Sequence, residues 1–158
     1  MVISQQNVHD SSKTIITDIN IEETVDDIEP PPLPLTARFK NLQDWLTNIC
    51  DHDKPGKHIS KLRFGLSESI NSYTLFLVGV NHYQIDKTHG ATRIEFEPVN
   101  MYFGIPPAYY KNLNREQVLA KLSRELKSFT STKKFKNSFF TKADSVVFDP
   151  NSQTLWSK

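Results

Sequence analysis

One short stretch of the chain places a thiol near imidazoles: Cys50, Asp51, His52, Asp53 and His58 fall within nine residues of one another. A cysteine beside histidines is the raw material for a nucleophile with its general base, or for a metal-ligand set. The spacing C-x-H-x5-H reproduces no closed zinc pattern, and a single cysteine excludes every signature that needs two. The plainer reading is a loop of solvated polar residues at a helix end. The chemical reading is a hydrolase that uses Cys50 with His52 and His58.

Two further constellations carry titratable groups. His82 and His89 lie near the two ends of a turn at residues 86–90, where they could pair for general acid–base work or serve as hairpin polar residues. Glu95 and Glu97 sit two apart on one strand face, close enough to perturb each other's ionisation. Arg93 beside them favours a charge-balanced solvent face over a catalytic dyad. Nothing in the sequence forms a cofactor or metal motif, so no cofactor and no metal are expected.

The strongest electrostatic feature is the segment 111–142. It holds Lys111, Arg115, Lys121, Arg124, Lys127, Lys133, Lys134, Lys136 and Lys142 against Glu116 and Glu125, a net +7. Phe135, Phe139, Phe140, Tyr109 and Tyr110 are interleaved with these cations. Lysines that neutralise phosphate and rings that stack bases would suit nucleic acid. The rings also fall at helical spacing, which suits a core, and the cations alone would suit an acidic protein surface. The candidate binding residues are therefore Lys121, Arg124, Lys127, Lys133, Lys134 and Lys136, with Arg93, Glu95 and Glu97.

The elements that position these groups follow from periodicity. Leu42, Trp45, Leu46 and Ile49 keep the i, i+3, i+4, i+7 spacing of one helical face, with Asn41 as cap. Lys61–Ser67 alternates with period two, as a half-buried strand does. Tyr73–Asn81 is apolar on both faces, which marks a central strand. Ala91–Glu97 alternates again, with Ile94 and Phe96 inward and Arg93, Glu95 and Glu97 outward; Pro98 signals a bulge or an edge, and residues 101–103 extend the strand. Asn114 and Gln117 form a capping box ahead of the stripe Val118, Leu119, Leu122, Leu126 and Phe129. A short helical turn carries Phe135, Phe139 and Phe140, and Ser145–Phe148 pairs through a turn at 149–152 with Thr154–Trp156. The expected class is α+β: an antiparallel sheet of about five strands with two to three helices on one face, preceded by a disordered or extended arm.

The arm is set apart by composition. All 17 aromatic residues lie between Phe39 and Trp156. Residues 1–35 carry seven acids against Lys13, a net −6, and leave +7 for the rest. The run 29–34 is proline-rich and reads as an extended spacer. These signals divide the chain into an acidic arm, 1–38, and one domain, 39–158. Within the arm, Asp18–Glu22 alternates like an edge strand able to join a sheet of this domain or of a partner. A lone cysteine, the absence of a basic, apolar leader and a longest apolar run of only Leu75–Val80 point to a cytoplasmic protein without membrane contact.

The stretch Thr92-Arg93-Ile94-Glu95-Phe96-Glu97-Pro98-Val99-Asn100-Met101-Tyr102-Phe103, the helix Asn114–Phe129 and the stretch Phe135-Lys136-Asn137-Ser138-Phe139-Phe140 resemble one protein class in size, layout and texture. That class is the small immunity proteins encoded beside bacterial contact-dependent and other polymorphic toxins. The likeness spans residues 40–158, and no toxin-binding residue is carried over by position. It implies a non-enzymatic protein whose partner is a cognate toxin domain, blocked by occlusion of its active site. The long acidic arm departs from a minimal member of that class. The alternative is a nucleic-acid-associated protein that uses residues 111–142.

Overall fold

The computed structural model describes residues 14–18, 38–70 and 72–158. In chain order it comprises β1 (Thr14–Asp18), α1 (Leu42–His52), β2 (Lys61–Ser69), β3 (Ser72–Gln84), β4 (His89–Phe96), β5 (Tyr102–Gly104), α2 (Pro107–Tyr110), α3 (Arg115–Phe129), α4 (Lys133–Lys136), β6 (Ser145–Phe148) and β7 (Gln153–Ser157). Two 3-10 turns, Phe139–Lys142 and Asp149–Asn151, complete the set. The polyproline run 29–34 and residues 19–22 of the expected arm strand lie outside the described residues.

The doubly apolar β3 is central because both of its faces have apolar neighbours to meet. The strand order is β1-β4-β3-β2-β6-β7, with β5 on β3, in a sheet of seven strands. The α+β class expected from the sequence is the one observed, with two more strands than its periodicity suggested. One is β5, which continues along the edge of β3 where β4 stops: β4 pairs with Gly79–Gln84 and β5 with Thr74–Phe76. The other is β1, which pairs antiparallel with β4 from Thr14↔Arg93 to Asp18↔His89. The arm therefore supplies an edge strand, displaced from the expected 18–22 and overlapping it at Asp18.

The sheet also departs from pure antiparallel pairing, since β6 runs parallel to β2 with Lys61 opposite Ser145 and Phe64 opposite Phe148. Parallel neighbours require a long crossover, and the helices between β5 and β6 provide it. The helices' apolar side chains all belong to one core with alternate strand residues: Trp45, Leu46, Ile49, Leu122, Leu126, Phe135 and Phe140 meet Leu62, Phe64, Leu75, Leu77, Val146 and Phe148. Asn41 and Asn114 both cap as expected, and the capping box at Asn114–Gln117 is complete. The opposite face carries a smaller cluster of Phe76, Val78, Val80, Ile94 and Met101. For that reason β2 is buried on both faces over Leu62–Leu66 and is not the half-buried strand its alternation suggested.

A bulge corrects the reading of β4. Val80 lies opposite Ile94 but Gly79 lies opposite Phe96, so Glu95 is the unmatched residue. The extra residue turns Ile94 and Phe96 to opposite faces: Ile94 joins the smaller cluster, and Phe96 packs edge-on against Phe139 at 5.3 Å. Glu95 is thereby drawn inward, while Arg93 and Glu97 stay exposed as expected.

At the β3–β4 turn, Asp86 accepts hydrogen bonds from the Thr88 and His89 amides, both 2.8 Å. The Thr88 amide above all, then the His89 ring, hold its carboxyl down at about 2. A depressed folded pKa gives stability that is present above the unfolded value near 3.9 and is lost as pH falls through the folded one. The Thr88 amide resonance should therefore titrate with a midpoint at about 2; a midpoint close to 4 would remove this role for Asp86. Among the described residues no helix is long and apolar enough to cross a membrane.

Candidate functional site

Helix α1 ends in the residues that the sequence singled out. Its apolar stripe fixes the rotation of the helix, and that rotation sets Cys50 half-buried beside the core and Asp51 and His52 toward solvent. The helix stops at Asp53, whose extended backbone caps it and donates its amide to the Ile49 carbonyl. Beyond it opens a cleft of about 590 Å³ between residues 50–59 and residues 137–143. Ile59, Leu62, Phe139 and Ala143 give the cleft apolar walls, and Lys54, Lys57 and Lys142 stand among its lining.

The groups do not converge as a catalytic set. Burial pushes the Cys50 thiol up to about 11, against smaller downward pulls from a Ser138 hydrogen bond and from Lys134. His52 turns its Nδ1 back to the Asn48 carbonyl of its own helix at 3.0 Å. His58 meets Asp144 at 3.4 Å. Asp51 is taken by Lys134 at 2.7 Å. Asp53 accepts the Val99 amide at 2.9 Å through Oδ1, and its buried Oδ2 has no partner among the described residues. Thiol and imidazoles thus serve different partners, and among the described residues no group of three or more His, Cys, Asp or Glu side chains is placed to hold a metal ion. A thiol raised from 9.0 to about 11 loses roughly a hundredfold in thiolate near pH 8. The greater nucleophilicity of a more basic thiolate returns part of that, so alkylation of Cys50 by iodoacetamide should run about tenfold slower than that of an unhindered thiol. A rate equal to or above the unhindered one would show an activated cysteine.

The other candidates separate as well. His82 bonds Thr92 at 3.2 Å and His89 bonds Asp86 at 3.0 Å, so each imidazole has a partner of its own. Glu95 accepts hydrogen bonds from Asn81 at 2.6 Å and Tyr83 at 2.7 Å and an ion pair from Lys57 at 3.2 Å. Burial acts to raise its pKa, but the hydrogen bonds from Tyr83, Asn81 and Lys57 outweigh it and hold the carboxyl below its ordinary range. Arg93 lies over the Tyr83 ring at 5.2 Å. The bulge separates Glu95 from Glu97: Glu95 is half-buried and held by Asn81, Tyr83 and Lys57, while Glu97 is exposed.

The basic segment is partly spent on structure. Lys121 donates to the Tyr109 carbonyl at 2.8 Å and stands 3.9 Å above the Tyr109 ring. Lys127 donates to the Leu155 carbonyl at 2.9 Å, and Lys134 holds Asp51. Arg124, Lys133 and Lys136 are exposed. Phe135 and Phe140 are fully buried, so neither ring offers a stacking surface for a base. Instead, the stretch after α4, residues 137–143 with its 3-10 turn, forms one wall of the cleft. Sequence reasoning missed this adjacency and the contributions of Ser138 and Asp144, because they reach the end of α1 across more than 80 residues of chain.

Fold and site together define an α+β protein with a cleft, lined by Lys54, Lys57 and Lys142 together with Asp51 and Asp53, between the end of its first helix and residues 137–143. Compared with known proteins, the chain matches no family model, and no curated protein or solved structure is significantly similar to it.

Proposed function

We propose that the chain is a non-enzymatic binding protein of the cytoplasm, an immunity protein that neutralises a cognate toxin by seating an acidic surface of that toxin over the lysine-lined cleft. The observation that carries this reading is the state of the cleft: its thiol is held protonated by burial, its imidazoles are tied to other partners, and apolar walls stand beside Lys54 and Lys142. Apolar anchoring ringed by charge is what recognition requires, and it needs no activated group. Charge complementarity at the rim would set the association rate and the choice of partner. Lys121, Lys127 and Lys134 are each engaged within the chain, which interrupts the basic segment as a continuous phosphate-binding stripe.

The test is co-expression with the toxin-domain product of the adjacent gene, followed by co-purification. A complex should form, and the double variant Cys50→Ser, His52→Ala should protect cells as fully as the unaltered chain. A folded double variant that forms the complex yet fails to protect would turn the reading toward catalysis; no complex with the unaltered chain would end it.

A further inference from the structure

The cleft at the end of α1 holds about 590 Å³, a volume that encloses a drug-sized molecule and therefore a few residues of peptide, not the face of a folded domain. Its apolar surface is fixed in place. Phe139 stacks on Phe140 at 4.8 Å and meets Phe96 edge-on at 5.3 Å, yet stays half-buried, so the ring gives the cleft a rigid apolar patch. Cys50 and Pro55 belong to the same lining and are half-buried too, and a protonated thiol behaves as a small apolar group.

The charges of the lining are not equally available to a guest. Asp51 is held by Lys134 at 2.7 Å, Asp53 spends Oδ1 on the Val99 amide and buries Oδ2, and Lys57 pairs with Glu95 at 3.2 Å. Lys54 and Lys142 are exposed, and among the described residues neither ammonium has a hydrogen-bond or ion-pair partner. The backbone amides of Lys54, Lys57 and His58, on the irregular stretch after α1, likewise donate to no acceptor among the described residues. What stays open is donor and cation beside an apolar surface. The complementary guest carries a carboxylate next to an apolar group.

We propose that the cleft takes an extended segment of the partner's own chain in which an apolar residue adjoins a carboxylate, the apolar side chain packing on Phe139 and Pro55 and the carboxylate meeting Lys54 and Lys142. This inference rests on the toxin-binding reading and narrows it, from an acidic surface laid over the cleft to a short acidic and apolar peptide that enters it. Exposed ion pairs contribute little each and the apolar contact is small, so the segment alone binds weakly, with a Kd of about 0.1–1 mM.

Amide chemical shifts of the isotope-labelled full chain, titrated with acetyl-Gly-Leu-Glu-Asp-Gly-amide, read this binding directly. The shifts should move at residues 54–58 and 137–143. Glutamine and asparagine in place of the two acids should weaken binding at least about threefold, and so should alanine in place of leucine. No movement at about 10 mM peptide, tenfold above the weakest expected Kd, overturns the proposal. Shifts that map elsewhere, equal binding of the amide analogue, or tighter binding of 3-phenylpropionate than of the peptide also overturn it; the last would make the cleft a site for small carboxylates. The two readings fail separately. A toxin complex that forms while the peptide moves nothing keeps the toxin reading and removes the entering segment, and peptide binding without a toxin complex does the reverse.

Discussion

Replacing Trp45 by alanine should cost about 3–5 kcal/mol of folding stability, a large share of what a domain of this size possesses. Trp45 is fully buried on α1 and stacks on Phe103 at 5.7 Å while meeting Phe64 edge-on at 6.0 Å. Its Nε1 donates to the Asn100 carbonyl at 2.7 Å, and Asn100 in turn bonds Asn48 and Arg38. One side chain therefore joins α1 to β5 and to the loop before β5. The cleft begins a turn and a half further along the same helix, so loosening Trp45 also loosens the wall that carries Cys50 and Asp53. Trp45→Phe keeps most of the buried area but strands the carbonyl, and should cost about 1–3 kcal/mol. Urea denaturation separates the cases; equal losses in both variants would show that the hydrogen bond, and not the packing, ties α1 to the sheet.

The second large effect lies on the opposite face of the sheet. Gly65 of β2 pairs with Phe76 of β3, and the ring lies over the glycine: a Cβ there would stand 2.2 Å from Phe76 Cζ. Phe76 is 3% exposed and packs against Tyr102, so the ring has little room to withdraw. Gly65→Ala should destabilise the chain by about 1–3 kcal/mol through overpacking. Shortening the ring, as Phe76→Leu, should make the double variant less damaged than the sum of the single ones, by at least about 0.5 kcal/mol. Additive losses would mean that the ring and the glycine are not in contact in solution.

Much of the fold could be read locally because its cues are local. The α1 stripe, the Asn114 capping box and the turn residues around Asp86 and Asp149 each act within a few positions of chain. Two features were not legible. The bulge at Glu95 inserts a residue with no mark of its own except Pro98 downstream, and it reverses the facing of Phe96 and draws Glu95 inward. The parallel pairing of β2 with β6 joins Lys61 to Ser145, and no spacing rule spans such a separation. The candidate site divides the same way. The cluster at Cys50 was visible as residue types, but its opposing wall and the raised thiol depend on burial by residues 137–143. Counting charge gave the basic segment correctly, yet the count could not tell that Lys121, Lys127 and Lys134 each reach an internal acceptor.

The central claim, recognition of an acidic partner surface at the lysine-lined cleft, is tested most directly by titration calorimetry of the full chain against the adjacent gene's toxin domain. The account predicts a one-to-one complex that loses at least about tenfold in affinity in Lys54→Glu, Lys142→Glu, about 1.4 kcal/mol or more, and that weakens with added salt. Lys54 and Lys142 are exposed and neither forms an ion pair among the described residues, so the variant should fold normally. Binding unchanged by the double reversal, in a complex of undiminished affinity, would contradict it.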